Sequence, residues 1–264
     1  MLPKPASCEG CPMYGDGQGF VPDQLVPGSK VMILLQNPGA TEEECGVPAI
    51  GDTGQVMNET FIPLASLSRH TVVDAGTRTV HTSSDVSVGN VLKCRLMQHD
   101  GTKTNDLPTG EVLEQSVAHC TNAHLAVPES VTHIVAQGSL AFKYITDGAL
   151  HESNGKPSSV TDWRGHVLPI EYMGRPVFQV LHLADLYRDP KQRWIAEQDW
   201  RRIADFTAGT YPQPVPDRVI VNSIEDWWMA YEWFTHARAN ATIVACDSEF
   251  IPDSAYLTVL GLGY

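Results

Sequence analysis

The sequence is short of bases. It carries 18 Lys and Arg against 31 Asp and Glu, a formal charge of −13. A protein that coats nucleic acid indiscriminately is basic overall, because its affinity comes from neutralising phosphates, so that class is set aside. A local basic groove on an acidic body is not excluded. No run of eighteen apolar residues occurs, and no membrane span is expected. The opening residues MLPKPASCEGCPMYGDG contain no apolar leader, so the expectation is a cytoplasmic protein rather than an exported one. Six cysteines among 264 residues are too few for a small disulfide-dense fold. They point instead to a reducing compartment, where the pair Cys8 and Cys11 reads as a metal site or a redox dithiol. No internal repeat is visible.

At 42% hydrophobic residues, the chain can bury one full core and still hold a fragment of a second domain. Lys30 to Leu35 reads as a buried parallel strand, being short, apolar and bounded by turn formers. Further strands are expected at Val86 to Leu92, Thr132 to Ala136, Val167 to Tyr172 and Pro176 to Leu181. Helices are expected at Thr53 to Ser68, Glu111 to Leu125, Gly138 to Thr146 and Pro190 to Phe206. Strands alternating with helices predict an α/β fold with a mostly parallel, covered sheet. Ligands of such sheets sit beyond the carboxyl ends of the strands, and the turn Asn37-Pro38-Gly39 lies at one. Pro212, Pro214 and Pro216 alternate in TYPQPVPD and mark a stiff linker. The expected domains are residues 1–209, a linker at 210–217 and a fragment at 218–264.

Cys94 in VLKCR and Cys120 in VAHCTN join Cys8 and Cys11 as candidate ligands. Four thiolates close either a tetrahedral zinc site or an iron–sulfur site. The bland alternative is two unrelated cysteines beside two core cysteines. Cys45 and Cys246 are left over, the latter in an apolar strand where a small buried hydrophobe is expected.

The ordered set CEGCPMY, VMILLQNPG, GVPAIGDTGQVMNE, GNVLKCR, HIVAQGSLA, WRGHVLPI and VLHLADLYRDP resembles the iron–sulfur uracil-DNA glycosylases, family 4 of that superfamily, from Cys8 to about Phe206. The resemblance implies a three-layer α/β/α domain in which Cys8, Cys11, Cys94 and Cys120 ligate a [4Fe-4S] cluster. It implies DNA as partner and hydrolysis of the N-glycosidic bond of deoxyuridine as reaction. The Cys94 to Cys120 gap is longer than the family's, with the extra residues expected in MQHDGTKTNDLPTG. By the same resemblance Pro38 and Gly39 floor the pocket for an extruded base, and His182 faces the uracil oxygen as an oxyanion hole would. Asn90 pairs with the polar edge of the base, since an amide both donates and accepts. Three positions depart from the family. Gln36 stands where an acid is usual, so Asn37, assisted by Gln36, is expected to position the water. Ala49 replaces the aromatic that stacks on uracil, with Phe61 or Tyr14 as conceivable substitutes. Leu183 replaces the proline after the histidine. Arg188 and one of Lys93 or Arg95 are candidate phosphate contacts, with the amides after Gly39, Gly51 and Gly54 adding to them. Glu42, Glu43 and Glu44 read as a solvated acidic turn that starts a helix.

Beyond the linker, ATIVACDSEF places Asp247 and Glu249 at a strand end, two positions apart. With SIEDWWMAYEWF before and LTVLGLGY after, this resembles the opening of the ribonuclease H-like 3′–5′ exonuclease domain of family A DNA polymerases. There Asp247 and Glu249 would hold Mg²⁺. The implied parent is a phage or bacterial polymerase continuing beyond residue 264, and the fragment alone is not expected to degrade DNA. Two rival readings stand beside the enzyme. One is a uracil- or DNA-binding module that has lost catalysis, the other a zinc-ribbon structural protein.

Overall fold

The computed structural model describes residues 1–15, 17–74, 76–96, 108–152, 155–211, 228, 231–232, 235–236, 239, 245–250 and 257–263. The chain divides into two compact units, Met1–Tyr211 and Pro212–Tyr264.

The strands of the first unit are β1 (Gly17–Gln18), β2 (Val31–Leu35), β3 (Arg69–Val73), β4 (Val80–Ser84), β5 (Val86–Asn90), β6 (Arg95–Leu96), β7 (His133–Gln137), β8 (His166–Tyr172) and β9 (Arg175–Val180). Five of them form the main sheet in the order β5-β2-β7-β9-β8. Every pair in it is parallel except the β8–β9 hairpin. That hairpin turns at Met173 and Gly174, both at positive φ (51° and 70°), as a two-residue turn between right-twisted strands requires.

The central strand shows why the sheet is covered on both sides. Val31, Ile33 and Leu35 point to one face, Met32 and Leu34 to the other, and all five are buried. On the first face lie Met57, Phe61 and Ile62, from a helical segment made of α2 (Asp52–Val56), a π turn (Met57–Phe61) and α3 (Ile62–Leu64). Ala196, Trp200 and Ile203 of a long C-terminal helix (Arg193–Ala208) complete that layer. On the second face lie Val117 and Cys120 of α4 (Glu111–His124), with Leu140, Phe142 and Ile145 of α5 (Ser139–Thr146). Each such fully buried side chain contributes about 1.5–3 kcal/mol. The three-layer α/β/α expectation therefore holds for this unit.

Several boundaries differ from the sequence reading. The helix expected to reach Ser68 stops at Leu64, because Ser66 takes φ +57° and the Leu67 N–H closes on the Ile62 carbonyl at 3.2 Å. The hairpin β3–β4 was not expected, since RHTVV and VHTSS bury only one side of a polar ribbon. Of the loop insertion expected within 97–110, residues 97–107 lie outside the described residues. In the second unit, β10 (Ala245–Phe250) pairs antiparallel with β11 (Leu257–Gly263), setting Asp247 opposite Gly261 and Glu249 opposite Val259. The linker at 212–217 and the side chains of Asp247, Glu249 and Cys246 lie outside the described residues.

Lys93 corrects a sequence expectation. It is no phosphate contact, being 1% exposed and ion-paired with buried Asp23, and it also donates to the Asn90 carbonyl. Burial pushes the Asp23 carboxyl up and the Lys93 ammonium down, each partly offset by the other. Removing one partner strands a buried charge. Lys93→Met is expected to cost about 3–5 kcal/mol in urea unfolding, and Lys93→Met with Asp23→Asn to recover a large part of it.

Candidate active site at the strand ends

Four parallel strands finish on one edge of the sheet. Leu35 of β2 stands level with Asn90 of β5, and Gln137 of β7 level with Val180 of β9. A cavity of about 300 Å³ opens there. It is lined by Asn37, Pro38 and Gly39 after β2, Asn90 at the end of β5, Gln137 at the end of β7 and His182 after β9. Ala49, Glu42 and Gly54 come from the intervening loop and helices. The structure thus brings together Asn37, Pro38, Gly39, Ala49, Asn90 and His182, six candidates scattered over 146 positions of the chain.

Each side chain has a fixed posture. His182 Nδ1 accepts the Ala184 N–H at 3.1 Å, which leaves the ring proton on Nε2 as the free donor. Burial holds the His182 pKa below the ordinary histidine value of 6.5, so the ring is neutral at neutral pH. Gly138 makes room for it: a Cβ there would lie 2.9 Å from His182 Cδ2, on a backbone already at φ +86°. The Asn90 N–H and C=O are taken by Asp23 (3.3 Å) and Lys93, while its side chain faces the cavity. Asn37 Nδ2 donates to the Pro38 carbonyl at 3.2 Å, closing the turn on itself.

Other candidates are placed elsewhere. Gln36 is half-buried and Arg188 is 80% exposed and paired with Asp185 at 3.0 Å, and neither lines the cavity. Phe61 is fully buried against Trp200, and Tyr14 lines a different cavity, so neither replaces the aromatic absent at Ala49. No Phe, Tyr or Trp is among the lining residues. Arg95 faces buried Glu43 at 3.6 Å rather than a phosphate.

The sequence reading missed two residues that build the loop. Glu42 and Glu43 are not a solvated turn: they are 8% and 1% exposed, and only Glu44 is open to solvent. The Glu42 carboxylate accepts N–H groups from Gly39 (3.1 Å), Ile50 (3.0 Å) and Gly51 (2.7 Å). The N–H groups of Gly39 and Gly51 themselves are therefore committed internally. Arg69, 1% exposed, donates to the carbonyls of Pro48 (2.7 Å) and Ala49 (2.9 Å) and to Asn58 Oδ1 (2.8 Å). Asn58 Nδ2 adds a second donor on the Ala49 carbonyl at 3.1 Å. These bonds hold Ala49 at φ +53°, a conformation costing a non-glycine residue on the order of 1 kcal/mol. Burial lowers the Arg69 pKa to about 10, against the pull of Glu42, so it stays charged.

The four cysteines meet at a second cavity. Cys8 and Cys11 sit on a turn closed by the Cys11 N–H on the Cys8 carbonyl at 3.1 Å. They line this cavity with Cys94, Cys120, His119 and His124. Burial and the neighbouring Cys120 push the Cys94 thiol to about 12. Burial likewise raises Cys120 to about 11, against the Lys93 N–H donated to its sulfur at 3.3 Å. Among the described residues no three His, Cys, Asp or Glu side chains gather closely enough to hold a single metal ion. Among the described residues the lining carries four thiols and the imidazoles of His119 and His124, the latter with Nε2 at 3.2 Å from Cys8 Sγ, and no carboxylate; four thiols around one space fit a thiolate-bound iron–sulfur group. Cys45, the last residue of α1 (Ala40–Cys45), lies outside it.

Gly54 is the tightest contact in the site. A Cβ there would lie 2.2 Å from the Ala49 carbonyl carbon. Glycine-to-alanine inside a helix normally stabilises, by about 1 kcal/mol. Gly54→Ala is expected to reverse that sign and lose roughly 2 kcal/mol or more in thermal unfolding. Gly15→Ala, which meets nothing within 4 Å, should be close to neutral.

Comparison with known proteins agrees with this arrangement. The family model described as Uracil DNA glycosylase superfamily matches residues 22–204, a span that leaves out Cys8, Cys11 and the second unit. Among curated relatives, a type-4 uracil-DNA glycosylase of Thermotoga maritima is 29% identical over 185 residues, covering 69% of this chain and 79% of the relative. Type-4 uracil-DNA glycosylases of Sulfurisphaera tokodaii and Archaeoglobus fulgidus are each 24% identical, over 76% and 78% of this chain and 80% and 91% of theirs. With the model spanning the whole sheet and every residue of the strand-end cavity, this chain belongs to the uracil DNA glycosylase superfamily.

Proposed function

We propose that the strand-end cavity hydrolyses the N-glycosidic bond of deoxyuridine in DNA. The observation that carries this reading is the convergence of Asn37, Asn90 and a neutral His182, from three separate strand ends, on one cavity. A base must leave the stack to enter such a pocket. As the bond breaks, the sugar becomes cationic and the departing base anionic. The His182 Nε2–H meets the developing charge on the base oxygen as a donor already in place. Asn90 reads the polar edge, and Asn37 orients the water that adds to the sugar carbon, without Gln36, which does not line the cavity. The water's second proton leaves with the base or to solvent. Without a carboxylate at Gln36, the water is weakly activated, which suffices for a carbon that already carries positive charge.

Cys8, Cys11, Cys94 and Cys120 would hold a [4Fe-4S] cluster, whose part is to fix the N-terminal turn, the segment after β5 and α4 around one point. On the tail resemblance, residues 218–264 open a proofreading exonuclease domain of a phage or bacterial polymerase, with Asp247 and Glu249 awaiting Mg²⁺. Their separation by two positions along β10 supports that assignment.

A second reading has its own observation. Among the described residues no Phe, Tyr or Trp lines the cavity, and a base–aromatic stack contributes about 1–3 kcal/mol. A domain that holds uracil-containing DNA for the polymerase without cleaving it is consistent with that lack.

A uracil-containing single-stranded oligonucleotide separates the two readings. Alkali-labile sites, lost about 10²-fold or more in His182→Ala and Asn37→Ala, support the enzyme. A gel shift without cleavage at high protein supports the binding module. The pH profile tests the state of His182. Protonation would break the Nδ1 bond to the Ala184 N–H that aims the ring, and the His182 pKa lies below 6.5, so any half-loss of rate from this group should fall below pH 6.5. A half-loss at or above pH 6.5 contradicts a neutral donor. Purified protein should be brown, with absorbance near roughly 400 nm and on the order of four irons per chain. Zinc instead of iron would remove the cluster assignment.

A further inference from the structure

The sulfur-lined cavity holds a nitrogen that a purely four-thiol reading leaves without a task. His124, the last residue of α4, places Nε2 3.2 Å from Cys8 Sγ. Cys120 lies one turn earlier on the same helix, so the two residues share a face and line one cavity. Phe20 packs edge-on against the imidazole, with ring centroids 4.9 Å apart. His119, the neighbour of Cys120, places its own Nε2 2.9 Å from the Ser7 carbonyl. A carbonyl only accepts, so this nitrogen donates. Two imidazoles of one helix thus hold consecutive residues of the N-terminal turn, Ser7 by its backbone and Cys8 by its sulfur.

Docking the turn would be task enough for His119, but the sulfur partner gives His124 a further consequence. A thiolate bound to iron carries no proton, so the bond exists there only with the hydrogen on Nε2. An N–H aimed at a ligand sulfur draws charge from it and favours the form of the cluster that carries one more electron. Hydrogen bonds to the sulfurs are among the factors that set cluster potentials. We propose that His124 is a positioning residue of the sulfur site, its Nε2–H donating to the Cys8 thiolate and raising the reduction potential of the iron–sulfur group. Cys120 accepts the Lys93 backbone N–H at 3.3 Å, a donor that a change of side chain leaves in place. The redox step is a one-electron gain in which no bond forms or breaks. Dithionite supplies the electron, and the added negative charge is shared by the sulfurs, one of which the N–H faces. This inference rests on the cluster assignment above.

The test is an anaerobic potentiometric titration of the iron-loaded full chain with dithionite, read by visible absorbance, in wild type, His124→Leu, His124→Gln and His119→Ala. His124→Leu is expected to make reduction about tenfold less favourable, a midpoint about 59 mV lower for one electron. His124→Gln, whose amide N–H reaches the place of Nε2, should recover a large part of the shift. His119→Ala frees the Ser7 carbonyl without touching the sulfur bond and should keep the wild-type midpoint. A second measurement serves where His124→Leu does not load iron. Reduced wild type grown with isotope-labelled histidine should show a nitrogen coupling on the electron spin, and His124→Gln should not. Equal midpoints in wild type and His124→Leu, a His119→Ala shift as large as that of His124→Leu, no nitrogen coupling, or a wild type that takes up no electron each overturns the role of His124 and leaves the cluster assignment standing. Zinc instead of iron in wild type overturns the cluster assignment, and the role of His124 with it.

Discussion

The parallel register of the central strands is the constraint on which the site depends. Leu35 pairs level with Asn90, Leu34 with Ala136, and Gln137 with Val180. A slip of one residue shifts a strand end by only about 3.3 Å, yet it turns every side chain to the opposite face. Val31, Ile33 and Leu35 would then exchange layers with Met32 and Leu34, against two different sets of packed helices. The core therefore fixes the register, and the register fixes which polar residues look into the cavity. This is why Asn90 and Gln137 can sit at strand ends with side chains the fold itself does not use.

Opposite charges do for the loop what the core does for the strands. The Glu42 carboxylate gathers N–H groups from both sides of the cavity mouth, Gly39 on one and Ile50 with Gly51 on the other. Arg69 gathers the carbonyls between them, from Pro48 and Ala49. One anion takes donors and one cation takes acceptors, so the loop's backbone is satisfied without water in a place where water would occupy the ligand's volume. Glycine at 51 follows from the same packing, since a Cβ would stand 3.1 Å from both Glu42 oxygens.

The contrast between what the sequence disclosed and what it hid has a physical source. The buried strands and the strand-end residues were legible because apolar runs bounded by turn formers leave a local pattern, and because the cavity residues occur in ordered motifs. Lys93, Glu42 and Arg69 were misread or missed for one reason. A charged residue in a sequence looks solvated unless its partner is known, and the partners lie elsewhere in the chain: Asp23 is 70 positions from Lys93, and the Pro48 carbonyl 21 from Arg69. The β3–β4 hairpin was hidden because its inward side is mixed, with Arg69 buried and Thr71, Val73, Val80, Thr82 and Ser84 half-buried, rather than an apolar face.

The two cavities are joined by a segment of four residues beyond Asn90. Lys93 binds the Asn90 carbonyl through its ammonium and the Cys120 sulfur through its own N–H, and Cys94 follows it directly. Bringing four thiols into one poorly solvated space raises the cost of ionising each, as the upward shifts of Cys94 and Cys120 show. Protonated thiols repel weakly and hold nothing in place, whereas a positively charged iron centre would favour all four thiolates at once and clamp this segment at Cys94. The clamp would act on Asn90 through Lys93, whose side chain is already immobilised by Asp23. By this argument the sulfur-lined cavity would set how firmly Asn90 is held, although among the described residues no cysteine lines the strand-end cavity.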